Sequence, residues 1–260
     1  MVAFRIIKNL AKSRLAYKFE FFGNLIFSIL WILLLVVIWQ AVFLFSNLES
    51  IKGFTFHDLI FYYIIIQLIR HGLDVDISYR VEQLVRYGNF VSFLLKPISF
   101  PIFCFLDDLS EKLVNIFLKI LPTFLVFVLI FGLPPFTLTS FLFGIISVIF
   151  AYLLMVLIDF MLSTLIFFTK SSHGIFDVFQ TGLHLIDGIL FPLIFFPEKV
   201  YSILLYLPFP YLTYFPTLVF LNKADFLNVL GFQVVWILLF FPLSFFLWHL
   251  SLKRIEGAGV

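Results

Sequence analysis

The residues able to do chemistry in this chain are few, and most sit in apolar surroundings. Asp159 lies deep in one long hydrophobic run, and Asp177, His184 and Asp187 lie along the next. An ionisable group in hydrocarbon costs about 2.5 to 3.5 kcal/mol on insertion scales, so each needs a partner or a task. Asp177 and His184 are seven positions apart and would share one face of a helix. One reading is that these four groups line a path for a polar or cationic cargo, or pair to gate it. The other is that Asp159 and Asp187 bond to neighbouring helices or lie near span ends. Asp107, Asp108, Glu111 and Lys112 offer carboxylates for metal or proton work. Adjacent aspartates point to different helix faces, however, which favours a solvated or headgroup-facing helix end.

Other chemistries find little support. His57, His71, His173 and His249 show no metal-ligand spacing such as H-x-x-x-H, and the lone Cys104 excludes an intrachain disulfide or a cysteine cluster. There is no G-x-x-x-x-G-K-[ST] phosphate loop and no G-x-G-x-x-G opening a helix, so the chain cannot cradle ATP in the usual way. No catalytic, cofactor-binding or metal-binding residue is therefore expected.

The elements that must position these residues are membrane helices. Apolar types make up 63% of the 260 residues and charged types 12%, which inverts the balance that a water-exposed surface needs. Apolar runs near or above the roughly 20 residues that cross about 30 Å of hydrocarbon recur along the chain. Backbone groups in lipid must bond internally, and the runs are too long and continuous for barrel strands, so they should be helices. The expected fold is an all-α membrane protein, a single domain over 1–260 with six transmembrane helices. The spans are placed at 21–45, 57–76, 102–131, 138–168, 174–195 and 228–250. The first run is too long for a signal-peptide core and lacks a small-residue cleavage site behind it. The 40 Phe residues read as lipid-facing filler rather than a ligand-binding wall.

Lys and Arg near span ends set the orientation. With the N-terminus inside, only Lys52, Lys199 and Lys223 fall outside, so both termini are expected in the cytosol and the protein in the cell membrane. Residues 1–18 alternate Ala3, Phe4, Ile6, Ile7, Leu10 and Ala11 with Arg5, Lys8, Asn9 and Lys12 at helical spacing, as in an amphipathic helix lying on the inner surface. A second amphipathic helix, around Tyr79 to Tyr87 and stopped at Gly88 and Asn89, is expected within the cytosolic segment 77–101. On the outer side, 191–223 carries Pro192, Pro197, Pro208, Pro210 and Pro216 among Tyr and Phe. That density breaks a span into short pieces, read either as re-entrant helices dipping into the outer leaflet or as a loop on its surface.

Two local patterns carry a resemblance. Val85-Arg86-Tyr87-Gly88-Asn89 is followed by Leu94-Leu95-Lys96-Pro97, and Phe196-Pro197 is followed by Leu207-Pro208-Phe209 and Phe215-Pro216. In their order, and with the sequence of spans around them, they make nearly the whole chain resemble the type 2 permease family of ATP-binding cassette transporters, in its six-span stand-alone form. Asn89 stands where an acidic residue is common in that family, and Lys96 where Arg is common. The resemblance implies the permease subunit of an ATP-driven exporter, paired with a second permease chain, identical or homologous. ATP and Mg would belong to separate cytosolic ATPase subunits. It also implies that Arg80, Glu82, Arg86 and Gly88 form the contact through which ATPase closure reaches the spans. Membrane lipids are the other expected partner, and nucleic acid is not one. Two other classes remain: a secondary transporter driven by ion gradients, for which no internal repeat is visible, and a lipid-modifying enzyme, for which no clustered catalytic set is visible.

Overall fold

The computed structural model describes residues 18–90, 98–169 and 173–257. The amphipathic helix expected over 1–18 therefore falls, apart from Lys18, outside the described residues, as do Leu94 to Pro97. Among the described residues the regular elements are helices. In chain order they are α1 (Lys18–Ser46), α2 (Phe56–Leu73), α3 (Ile77–Arg86), α4 (Phe100–Asn115), α5 (Leu121–Phe131), α6 (Leu138–Thr164), α7 (His173–Ile186), α8 (Glu198–Leu204), α9 (Tyr214–Phe220) and α10 (Phe226–Gly257).

Four stretches are long and apolar enough to cross a membrane: Leu25–Ser46, Phe100–Phe131, Leu138–Phe167 and Phe226–Arg254. Their outward faces carry large apolar side chains such as Phe27, Leu129 and Leu238, each more than two-thirds exposed and suited to lipid. Glu198–Leu204 and Phe209–Phe220 would make a fifth span if they were one, but they meet at 71°. Six spans were expected, and two of the six expected helices differ from the other four. α2 is 18 residues long and keeps Asp58, Gln67, Arg70 and His71. It tolerates them because protein encloses it, with Leu59 through Ile66 all buried in sequence. α7 has only 14 residues, about 21 Å, and stops well short of the expected 195. The Asp187 carboxylate accepts the Ile189 amide at 2.9 Å and Gly188 takes a φ of +90°, which together turn the chain out of the helix.

α4 and α5 form one rod through a π-helical turn at Ile116–Ile120. Pro122 explains that turn. It has no N–H and its ring would collide with the preceding turn of an α-helix, whereas here the Leu121 amide bonds five residues back to the Ile116 carbonyl. α3 ends as the sequence suggests. Gly88 adopts φ +70°, its amide reaches Val85 O and the Asn89 amide reaches Leu84 O, closing the last turn. Near that end Trp248 of α10 stacks on Phe100 at 5.2 Å, with Phe90, Phe160 and Phe167 around it, so part of the Phe content is packed core rather than lipid filler.

The opposite, distal end is closed by residues 187–223, folded back between the helices. Tyr62 Oη donates to Gly188 O at 2.6 Å and Tyr63 Oη to Leu190 O at 3.1 Å. The α1–α2 connection folds into a tight turn at Lys52 and Gly53, and Lys52 Nζ donates to Ile194 O at 2.8 Å. A Cβ on Gly188 would come within 2.7 Å of Tyr62 Oη and 2.9 Å of Tyr214 Cβ, at a backbone angle that side chains rarely adopt. Gly188→Ala should therefore destabilise the protein by about 1 to 3 kcal/mol. Thermal unfolding in lipid nanodiscs checks this, and wild-type stability would contradict the packing described.

Candidate functional site

α3 runs outside the spans, and its sequence divides it lengthwise. Ile77, Ser78, Val81 and Glu82 are buried against the bundle, whereas Tyr79, Gln83, Arg86 and Tyr87 are exposed. Polar ties from two different helices help to hold the buried side.

The first tie is Asp159 of α6. Its Oδ2 accepts the Ser78 backbone amide at 2.8 Å, and its Oδ1 accepts the Ser78 hydroxyl at 2.7 Å. Asp76, at the N-cap position of α3, makes no side-chain capping bond. The carboxylate from α6 thus satisfies an orphan amide of the first turn and meets the positive end of the helix dipole. Asp159 is 1% exposed with both oxygens engaged. Of the two readings open from the sequence, this is the bond to a neighbouring helix: Asp159 holds a helix terminus.

The second tie is Arg80. Its guanidinium pairs with Asp107 and Glu111, one helical turn apart on α4, and lies 3.6 Å from Asp108. A planar fork fits two carboxylates on one face in a way an ammonium cannot. Burial works against the Arg80 charge, but Asp107 and Glu111 more than offset it and hold its pKa above the usual value. Asp108 accepts Tyr152 Oη at 2.9 Å and lies 3.5 Å from Lys112 Nζ, which in turn donates to Asp74 O. The solvated helix end expected for Asp107, Asp108, Glu111 and Lys112 is thus corrected: all four are buried, because α3 and α6 cover them.

A different polar site lies between α2, α7 and the chain leading into α9. Arg70 Nη2 donates to His184 Nε2 at 2.7 Å. Arg70 Nη1 lies 3.3 Å from His184 Nδ1, which also faces Asp187 Oδ2 at 3.6 Å. Thr213 Oγ1 donates to Asp187 O at 2.5 Å. These residues, with Gln180 and Leu212, border a small cavity of about 40 Å³. Asp177 lies on the same α7 face as Gln180 and His184 but nearer the helix start, and it is exposed. Of the four expected pathway residues, the structure brings His184 and Asp187 together, leaves Asp177 at the surface and places Asp159 at α3. A larger cleft of about 620 Å³ lies between α2, the α4–α5 rod and α6. Its walls are apolar apart from Lys112 and Tyr152, both engaged with Asp108, so it suits hydrocarbon rather than polar cargo.

Arg70, Ser78, Tyr152 and Thr213 were not singled out from sequence as site residues. Each acts through a partner 26 to 114 positions away, and no local pattern announces such pairs. Ser28, Gln67 and His71 form a further half-buried polar group across α1 and α2, with Ser28 Oγ 3.1 Å from His71 Nε2. Among the described residues no group of three or more His, Cys, Asp or Glu is placed to hold a metal ion.

Comparison with protein families places residues 29–259 within the model described as ABC-2 family transporter protein. Comparison with curated proteins returns no match.

Removing the guanidinium leaves three buried carboxylates without their shared partner. Arg80→Ala should cost about 3 kcal/mol or more, with Arg80→Lys recovering only part of it. Melting in nanodiscs measures this, and an unshifted transition for Arg80→Ala would show that the ion pairs contribute nothing.

Proposed function

This chain belongs to the ABC-2 transporter family, and from that premise we propose that it is the permease subunit of an ATP-driven exporter. The observation that carries the reading is α3: a short helix outside the spans, tied by its inner side to α4 and α6, with Tyr79, Gln83, Arg86 and Tyr87 exposed on its outer side. A helix fixed to two spans and bare on one face is suited to receive a moving partner and pass the motion inward. In this reading the partner is a separate cytosolic subunit that binds ATP and Mg, and this chain hydrolyses nothing.

The six expected spans are then α1, α2, the α4–α5 rod, α6, α7 with the residues that follow it, and α10. The α3 end and both termini face the cytosol, and α8 and α9 form a re-entrant cap in the outer leaflet. Two of the three lysines assigned to the outside support this orientation, because Lys52 and Lys223 are engaged with backbone carbonyls at the distal end. Lys199 is exposed there. Cys104 is buried, so Lys199→Cys should take a membrane-impermeant maleimide from outside without background.

A second permease chain, identical or homologous, completes the pathway. The polar face of α7, with Asp177, Gln180 and His184, lines it, and Arg70 and Asp187 hold His184 in place. ATP-driven movement of α3 would expose that face alternately to the two sides. Within the proposed coupling set the residues take different parts. Arg86 and Gly88 lie on the exposed turn that meets the ATPase, whereas Arg80 and Glu82 face the bundle.

The experiment is co-purification of the tagged full chain from mild detergent, with an ATPase assay on the recovered complex. Recovery of a subunit carrying a phosphate-binding loop is expected. Arg86→Glu should lower permease-stimulated ATP hydrolysis by about fivefold or more, in the range of inter-site coupling, while leaving the melting temperature unchanged. Recovery of the chain without any ATPase would overturn the reading in favour of an ion-driven transporter.

A further inference from the structure

The helix that holds α3 at one end of the bundle holds the re-entrant segment at the other. α6 has 27 residues, about 40 Å of rod, with no proline inside it and a reciprocal cap at Thr137 and Ser140. Asp159, near one end, carries the Ser78 tie. Gly144 is fifteen residues away, about 22 Å along the axis. There the missing side chain lets the Phe220 ring of α9 sit against the helix backbone, and a Cβ would fall within 2.6 Å of that ring.

One turn further along, Gln233 of α10 joins α6 to the same segment. Its Nε2 donates to Ser147 O at 3.0 Å and to Tyr211 O at 2.9 Å, and its Oε1 accepts Ser147 Oγ at 3.2 Å. Gln233 is fully buried. Slippage of Tyr211 past α6 would therefore leave a desolvated amide without partners. The segment that closes the distal end is thus fixed to α6 both by close packing and by a satisfied polar network.

We infer that α6 is a lever through which displacement of α3 moves the re-entrant segment Phe209–Phe220, with Asp159 and Gly144 as the positioning residues at its two ends. α3 and the distal closure then shift together, although their attachment points on α6 are about 22 Å apart. The inference rests on the permease reading only for the source of the force; the linkage itself belongs to this chain.

Coupling between two sites must be the same from either end, which makes the lever testable without any partner protein. The full chain in nanodiscs is followed by hydrogen exchange with mass spectrometry. Asp159→Asn should raise exchange in α3 and, at a distance, in Phe209–Phe220 by about fivefold or more. Gly144→Ala, which displaces Phe220, should raise exchange in the first turn of α3 by a similar factor. The buried stretch Leu59–Ile66 of α2 should stay unchanged in both variants. Loosening confined to α3 in Asp159→Asn overturns the lever, as does a uniform rise that includes α2. Should Asp159→Asn fail to insert, unchanged exchange of α3 in Gly144→Ala overturns it alone. Any of these failures leaves the permease reading standing, and absence of an ATPase partner leaves the lever standing.

Discussion

The ion pairs between Arg80 and the carboxylates of α4 decide how the α3 end of the bundle is built. Three acidic groups at one end of a membrane helix would ordinarily reach for water or headgroups. Here Asp107, Asp108 and Glu111 are covered by protein, and that arrangement is stable only because a guanidinium meets two of them directly and lies close to the third. Around Asp108, Lys112 adds a second positive charge and Tyr152 donates a hydrogen bond. Buried ion pairs add little net stability compared with apolar packing, but breaking one is costly. Their effect is to fix one arrangement: α3 cannot rotate about its axis or slide along α4 without stranding charge. Asp159 removes the remaining freedom by fixing the first turn of α3 to α6.

Much of this architecture is legible in the sequence, and the legible parts share a cause. α1, the α4–α5 rod, α6 and α10 are announced by uninterrupted apolarity, because lipid imposes the same demand at every position of a span. The end of α3 at Gly88 is readable because a left-handed residue is a local requirement. The parts that the sequence did not announce depend on distant partners. The end of α7 at Ile186 follows from an Asx turn at Asp187, in a stretch that composition alone continues to residue 195. The burial of Asp107 and Asp108 depends on Arg80 and on Tyr152, 44 positions beyond Asp108. Composition marks these carboxylates as polar, and polarity by itself suggests exposure. Asp159 was visible as a group needing explanation, but its partner Ser78, 81 positions earlier, carries no mark of that role.

The lysines at the distal end show how orientation signals can also be structural. Lys52 sits in a two-residue turn and reaches Ile194 O, while Lys223 reaches Gly53 O and Asp58 and lies over the Phe54 ring. Both bridge the α1–α2 connection to the segment between α7 and α10. An ammonium has three donors and a long stem, so it can gather carbonyls left open where helices end. A positive-inside count treats these residues as exceptions, whereas in the fold they are bonded staples.

The two ends are held by forces of different kinds, and this sets which can open. At the α3 end a buried guanidinium and a buried carboxylate make the ties, and separation would strand charge at a cost of several kcal/mol. At the distal end the ties are hydrogen bonds to carbonyls from Tyr62, Tyr63 and Thr213, and lysine contacts exposed to solvent. Such bonds are worth about 0.5 to 1.5 kcal/mol each, and those at the surface can be exchanged for water. Tyr62, Thr213 and Gln233 make the buried ties at this end, and Gln233 binds Tyr211 to α6. The Gln233 bonds join α6 and Phe209–Phe220 into one body, so a distal opening would separate that body from α2 rather than from α6.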